Sequence, residues 1–219
     1  MNFLVHCALA DDASRIWPQG ESLNKGLLAG AILADFSKGP VARSLPEELQ
    51  AGIRLHRRID AYSNQHEAIQ HVCAGFPKVL RRYAPIFVDI LADHYLSLSW
   101  DEYYPMPRAA LSSRCYEACE QYAGNSEYQA SASLRPFMDY MRQQDLLAHY
   151  HDWSNVERGL RSVLRRLGQE TLLHTVISAC LEQHDSGQRA FRIYFPELRQ
   201  QLTSWSSLMN HETRRASQT

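Results

Sequence analysis

Leu55-His56-Arg57-Arg58-Ile59-Asp60 lies inside a helical pattern that opens near Pro46. Leu49, Ile53, His56 and Asp60 follow one another along neighbouring turns, with Leu55 and Ile59 beside them, so an apolar face runs into a His/Asp pair. Residues four apart on a helix point the same way. By itself the pair reads equally as a hydrogen-bonded surface pair and as part of a metal site. Asp89 and Asp93 repeat the spacing, with His94 adjacent, among Ile86, Val88, Ile90, Leu91, Tyr95 and Leu96. Two acids four apart in an apolar helix repel each other and are costly to desolvate, and a metal or a basic neighbour removes that cost. Asp35 ends a further apolar helix, where a carboxylate opposes the helix dipole and calls for solvent or a cation. His6 sits in an apolar N-terminal run, where a histidine is ordinarily a hydrogen-bonded core residue. Taken together, imidazoles and carboxylates presented from several helices are what a divalent metal site in an all-helical protein requires. The expectation is an all-α fold, a single helical domain over residues 1–210 and a polar tail over 211–219. The candidate metal ligands are His6, Asp35, His56, Asp60, Asp89 and Asp93.

The 219 residues are 45% hydrophobic and 21% charged, which suits one sizeable core. The net charge of −1 argues for no particular partner, and no nucleic-acid partner is expected. Basic residues nevertheless cluster at Arg54, Arg57 and Arg58, at Lys78, Arg81 and Arg82, and at Arg161, Arg165 and Arg166. Each cluster alone reads as a solvated helix face; three together suit docking of an acidic partner. Five cysteines form no CxxC motif and no run is long enough to cross a bilayer; Met1-Asn2-Phe3-Leu4-Val5 lacks the basic residues of a secretory leader, and none is expected. A cytoplasmic protein with reduced thiols, not associated with a membrane, is expected. Cys115 and Cys119 share a helical face and read as core.

In order, Asn2 to Ala10 fits a buried helix or a strand, and Asp11 to Gly20 a loop broken at Trp17-Pro18. Ser22 is placed to cap a helix to Phe36, with Gly26 and Gly30 on one face for close approach of a neighbour. Ser44 with Glu47 suggests a capping box, and Pro46 an early helical position. A short helix follows from about His66 to Ala74; Pro85 marks a kink or a new start. Trp100 to Pro107 reads as a loop. Helices are expected over Pro107 to Ala123, Leu134 to Tyr150 and Val156 to Leu167, and a last long one from near Glu170, bending around His184 to Gly187, to Trp205. Phe191, Tyr194 and Phe195 are expected in the core. There is no internal repeat, GxGxxG, P-loop or GxSxG.

Several strings resemble the acyl carrier protein phosphodiesterase family. They are Met1-Asn2-Phe3-Leu4-Val5-His6, Leu33-Ala34-Asp35-Phe36-Ser37-Lys38-Gly39, Gly52-Ile53-Arg54-Leu55-His56-Arg57-Arg58-Ile59-Asp60, Ala84-Pro85-Ile86 leading into Asp89, Asp93-His94-Tyr95-Leu96, and Phe191-Arg192-Ile193-Tyr194-Phe195-Pro196. The resemblance covers nearly the whole chain. It implies an all-helical fold distantly like HD phosphohydrolases. It also implies metal-dependent hydrolysis, with Mn²⁺ as the cofactor and Mg²⁺ or another divalent metal as the alternative. The bond cut would join 4′-phosphopantetheine to a serine of acyl carrier protein, giving apo-carrier and free phosphopantetheine. The site carried over is His6, Asp35, His56, Asp60, Asp89 and Asp93, with His94 beside it. Two positions depart from the family pattern: Ala8 stands where a second histidine is usual, and Ala34 where a glycine usually precedes the Asp.

The residues suit that chemistry, because Mn²⁺ takes oxygen and imidazole ligands, polarises a phosphoryl oxygen and acidifies water. Asp35, Asp60 and Asp89 or Asp93, with His56 or His6, are expected to hold the metal, Asp60 being catalytic as well, and an unligated carboxylate or His94 to position or deprotonate the water. Arg57 or Arg58 is expected to face phosphate charge, and Arg54, Arg57, Arg58, Arg81 and Arg82 the carrier. Tyr103, Tyr104 and the segment around Trp100 are candidates to line a channel for the pantetheine arm. Two alternatives stand beside this reading: an HD-type phosphohydrolase of a nucleotide or other small phosphoester, and a non-catalytic helical protein that binds a carrier.

Overall fold

The computed structural model describes residues 3–17, 21–124 and 133–216, with side chains to residue 206. All regular structure among them is helical. The tail expected over 211–219 lies outside the described side chains, although the last helix itself runs to Ala216.

The central element is α1 (Phe3–Ile16), which is buried from Phe3 to Ala13 and packs against the helices over Glu21–Leu33, Glu47–Gln65, Ala84–Leu98, Arg108–Ala123 and His184–Ala216. A helix that is apolar all round belongs inside a bundle, which is why its sequence carries no period to separate helix from strand. Of the loop expected from Asp11 to Gly20, the part up to Ile16 is instead the continuation of this helix, and residues 18–20 lie outside the described residues. Its two acids are neutralised in place. Asp11 pairs with Arg15 at 2.6 Å and Arg114 at 2.7 Å, and Asp12 pairs with Arg199 at 2.8 Å and accepts from the Tyr104 hydroxyl at 2.8 Å.

Two helices lie back to back beside α1: α2 (Glu21–Leu33), which tightens into a 3-10 turn at Ala34–Phe36, and α3 (Glu47–Gln65). Ser22 falls within the first turn of α2, and Pro46 is the N-cap of α3 rather than a residue inside it. Their backbones nearly touch through three glycines. A Cβ on Gly30 would stand 2.4 Å from the Gly52 carbonyl carbon, and one on Gly52 would stand 2.3 Å from the Gly26 oxygen. The Gly26 and Gly30 face foreseen in the sequence therefore meets a third glycine on α3.

Next come α4 (Glu67–Gly75), capped by His66 accepting from the Ala68 N–H, and α5 (Ala84–Leu98), which Pro85 starts afresh rather than kinks. The expected loop at Trp100 contains one helical turn, α6 (Trp100–Tyr103). The helices α7 (Arg108–Ala123) and α8 (Leu134–Gln143) follow, and Cys115 and Cys119 are buried as expected. The helix expected to reach Tyr150 stops at Gln143, because Asp145 turns left-handed at φ 41° before a 3-10 turn at Leu146–Ala148. Asp tolerates that conformation, and Ser112 donates to its carboxylate. Asp152 caps α9 (Trp153–Arg166) by accepting from Ser154 N–H at 2.9 Å. The final helix expected from Glu170 is two, α10 (Leu173–Glu182) and α11 (His184–Ala216), separated at Gln183. Phe191, Tyr194 and Phe195 are in the core. No helix among the described residues is long and apolar enough to cross a membrane.

Candidate metal centre

The glycine contact between α2 and α3 places the side chain of His56 against the backbone of α2. His56 Nδ1 donates to the Ala31 carbonyl at 3.0 Å. A carbonyl only accepts, so the proton is fixed on Nδ1 and Nε2 is turned outward. There it meets Asp60 Oδ2 at 3.4 Å, one helical turn along α3, and Asp35 Oδ1 at 4.0 Å, on the 3-10 turn after α2. From α1, His6 Nε2 reaches the other oxygen of the same carboxylate, Asp60 Oδ1, at 3.1 Å. The two imidazoles stack with centroids 3.8 Å apart and planes 9° from parallel. His6, His56 and Asp60 thus bring one donor atom each within 4.8 Å of one another. Both histidines are buried, and the Asp60 side chain, 44% exposed, forms the mouth.

The charges follow from this packing. Burial, then the adjacent His56, lowers His6 to about 4, against the pull of Asp60, so His6 is neutral at neutral pH. Burial also works against a charged His56, but Asp60 and then Asp35 outweigh it and raise its pKa. Burial disfavours the Asp60 carboxylate, yet the hydrogen bonds of His56 and His6 hold it well below the usual carboxylate range. The carboxylate of Asp60 thus stays ionised between a neutral His6 and a His56 that it helps to protonate. Asp89, half-buried on α5, is pushed up to about 6 by burial, with Asp60 and Asp35 adding to the rise. It stands within the field of the cluster.

The structure brings together His6, His56 and Asp60, with Asp35 and Asp89 around them. Asp93 and His94 are placed differently. Asp93 is fully buried under the first turn of α1, where its Oδ1 accepts from the Val5 N–H at 2.9 Å. Helix N-termini leave such N–H groups without intrahelical partners, so Asp93 caps the helix that carries His6. Burial pushes its carboxyl up to about 7, although the Val5 and Leu4 N–H groups favour the charged form. An unfolded Asp titrates near 4. The folded chain therefore holds the extra proton between about 4 and 7, and this group's contribution to stability declines as pH rises through that window. Asp93→Asn keeps the acceptor and removes the ionisation. Its melting temperature is expected to gain on the unsubstituted protein progressively from pH 4 to pH 8; a constant difference across thermal melts in that range would refute the protonation. His94 donates from Nδ1 to the Tyr150 carbonyl at 2.8 Å and stands edge-on to Trp153 and His184.

The arginines sort by exposure. Arg57 donates to the Ser37 carbonyl at 2.9 Å, which ties the turn bearing Asp35 to α3. Arg54 bonds Gln50, and Arg58 lies over the Trp205 ring. Arg81 donates to Phe76 O, Arg82 covers Tyr83, and both are exposed. Tyr104 is buried against Trp100 and bound to Asp12, whereas Tyr103 is half-buried and stands edge-on to Phe191 and Phe195 of the core. Sequence reasoning missed the Ala31 carbonyl, which no side-chain pattern reveals, and Gly52, whose signal was its place within the His56 helix.

Neither departure in the sequence subtracts from the cluster. Two residues on a helix point roughly 200° apart, so a side chain at position 8 leaves α1 on the face away from His6. Ala8 is fully buried there. Ala34 is not in the left-handed region that would require glycine. Ala8→His is expected to cost about 1–3 kcal/mol by overpacking, without adding a metal ligand. Thermal melts with and without Mn²⁺ check this: an Mn²⁺-dependent rise in melting temperature larger than that of the unsubstituted protein would contradict it.

A helical bundle in which two imidazoles and a carboxylate converge from two of its helices is the class of protein that the fold and the site define. Residues 1–198 match the family described as acyl carrier protein phosphodiesterase, and the chain belongs to that family of phosphoric diester hydrolases. It is 30% identical over 166 residues to a protein of Photorhabdus laumondii subsp. laumondii named acyl carrier protein phosphodiesterase, covering 76% of this chain and 77% of that one. It is 36% identical over 105 residues to proteins of the same name from Shigella boydii serotype 18 and Escherichia coli, where the match spans about half the length of each (48% of this chain, 49% of theirs). No solved structure matches the chain.

Proposed function

We propose that this protein hydrolyses the phosphodiester between 4′-phosphopantetheine and a serine of acyl carrier protein, using a divalent cation, Mn²⁺ by preference, held by His6, His56 and Asp60. The observation that carries the reading is the convergence of two imidazole Nε2 atoms on the two oxygens of one carboxylate. The donor set fits. Neutral imidazole and carboxylate suit first-row divalent ions, and His56 already has its second nitrogen bonded to a backbone carbonyl, as metal-bound histidines do. Asp35 is the nearest further ligand. When bound, the cation supplies positive charge to the phosphoryl oxygens and lowers the pKa of water.

The chain's own groups do the rest. Asp89, raised to about 6, is poised to exchange a proton near neutral pH. In the reaction a water oxygen bonds to phosphorus, the bond from phosphorus to serine Oγ breaks, and Oγ takes up a proton. We assign to Asp89 the water proton, to Asp93 the support of α1, and to Arg57 the positioning of the Asp35 turn. His94, whose ring is held by Tyr150, Trp153 and His184, supports the helix pair α5 and α9 rather than the water. The exposed Arg81 and Arg82 are suited to meet an acidic carrier.

The test sets holo-acyl carrier protein beside nucleotide mono- and diesters, with Mn²⁺, over a range of salt. Turnover of the carrier alone, weakening as salt screens the docking charges, is expected. Turnover of nucleotides without carrier would overturn the substrate. Salt-sensitive binding of the carrier with no turnover would overturn the catalysis.

A further inference from the structure

An apolar cavity of about 170 Å³ opens at the head of α1, where Phe3 in its wall lies about one helical turn before His6. Phe3, Ile90, Phe137, Leu146 and Tyr150 line it. Three of its contacts tie it to the metal centre. Phe3 precedes His6 by three residues on α1, so the two share a face within roughly one turn. Ile90 is the next residue after Asp89. Phe137 packs at 5.2 Å on Phe3 and at 5.3 Å on Phe36, the residue after Asp35. At the rim, Arg158 donates to Asn155 Oδ1 at 3.2 Å, which anchors its guanidinium, and Ser162 is exposed.

A phosphodiester site that accepts 4′-phosphopantetheine must accommodate the group esterified to the phosphate. That group begins with a pantoyl unit: a CH₂, a carbon bearing two methyl groups, a hydroxyl-bearing carbon and an amide carbonyl. Its branched apolar part lies two bonds from the ester oxygen, so it must sit close to the cluster, and its polar part comes next. The cavity offers both parts, apolar walls from Phe3, Ile90, Phe137 and Leu146, and an anchored guanidinium and a hydroxyl on the exposed Arg158 and Ser162. Its volume also matches, since an apolar cavity of about 150 Å³ holds a six-carbon guest such as benzene. Resting on the reading above, we infer that this cavity receives the branched pantoyl segment of the substrate, and that it gives the enzyme its preference for a phosphopantetheine ester over other phosphodiesters.

The glycine in its wall gives a direct test. A Cβ on Gly159 would meet only Ile90, at 3.4 Å and 3.8 Å, so Gly159→Leu fills the cavity from a tolerant position. Ser162→Phe, at the exposed rim, closes the mouth without entering the core. Calorimetry compares free 4′-phosphopantetheine with an unbranched analogue lacking both methyls, on the unsubstituted protein and both variants. The unsubstituted protein is expected to bind the branched ligand about tenfold more tightly, the value of burying two methyl groups, and both variants to lose that preference. Equal affinity for the two ligands in the unsubstituted protein, or a preference that survives in both variants, would overturn the inference. The proposed reaction is judged separately, by release of phosphopantetheine from holo-carrier. Release with no methyl preference would sink the cavity assignment alone, and a methyl preference without release would sink the reaction alone.

Discussion

Asp60→Asn is expected to stop the release of phosphopantetheine from holo-carrier, by roughly a thousandfold or more, while leaving the helical circular dichroism unchanged. Both imidazoles of the cluster face this one carboxylate, and its pKa is held low by their hydrogen bonds. The amide preserves the side chain's shape but not its charge, so the variant should also fail to retain Mn²⁺ in elemental analysis after gel filtration. Little stability is lost, because the side chain is 44% exposed at the mouth rather than in the core. Asp60→Ala should behave alike. Full turnover in either variant would remove His6, His56 and Asp60 as the site.

Gly30→Ala is the second large effect, and it reads on the fold. Helix propensity alone favours alanine by about 1 kcal/mol. Packing reverses the sign. The added Cβ would meet Gly52 C at 2.4 Å, Gly52 Cα at 2.5 Å and Ile53 N at 2.6 Å, all backbone atoms that no rotamer change can move. The α2 and α3 axes must then separate, and a cost of about 3 kcal/mol or more is expected, seen as a fall of roughly 10 °C in melting temperature. The same separation draws the Ala31 carbonyl away from His56 Nδ1, so turnover should fall further than the loss of folded protein explains. Gly39→Ala is the control. It has a φ of 73° but nothing within 4 Å, and should cost only the backbone strain of about 1 kcal/mol. A Gly30→Ala protein as stable as the control would refute the close contact of the two helices.

The sequence made the His56–Asp60 half of the cluster legible, because a four-residue spacing on an amphipathic helix is a local property. His6 was legible only as an oddity in an apolar run. Its pairing with Asp60 spans fifty-four residues and depends on how α1 lies in the bundle. Asp89 and Asp93 show the limit of spacing as a guide. They share a face of α5 but stand about 6 Å apart along it, so one enters the field of the cluster and the other reaches the N–H groups of α1. The helix ends misread in the sequence have similar causes. Asp11 and Asp12 read as loop because Arg114 and Arg199, which join the local Arg15 in neutralising them, are remote in sequence, and Asp145 gave no glycine to mark its left-handed turn. The cavity by Phe3 leaves no local signal because its walls come from five elements, whereas the aromatic run at Tyr103 and Tyr104 is conspicuous in the sequence and packs on and in the core.

Intact-mass analysis of holo-acyl carrier protein, incubated with the purified protein in Mn²⁺ and in parallel with a chelator, decides the reaction. The expected result is loss of the phosphopantetheine mass from the carrier in Mn²⁺ and no loss in chelator. An unchanged carrier mass, with Mn²⁺ shown by elemental analysis to be bound to the protein, would contradict the proposed function.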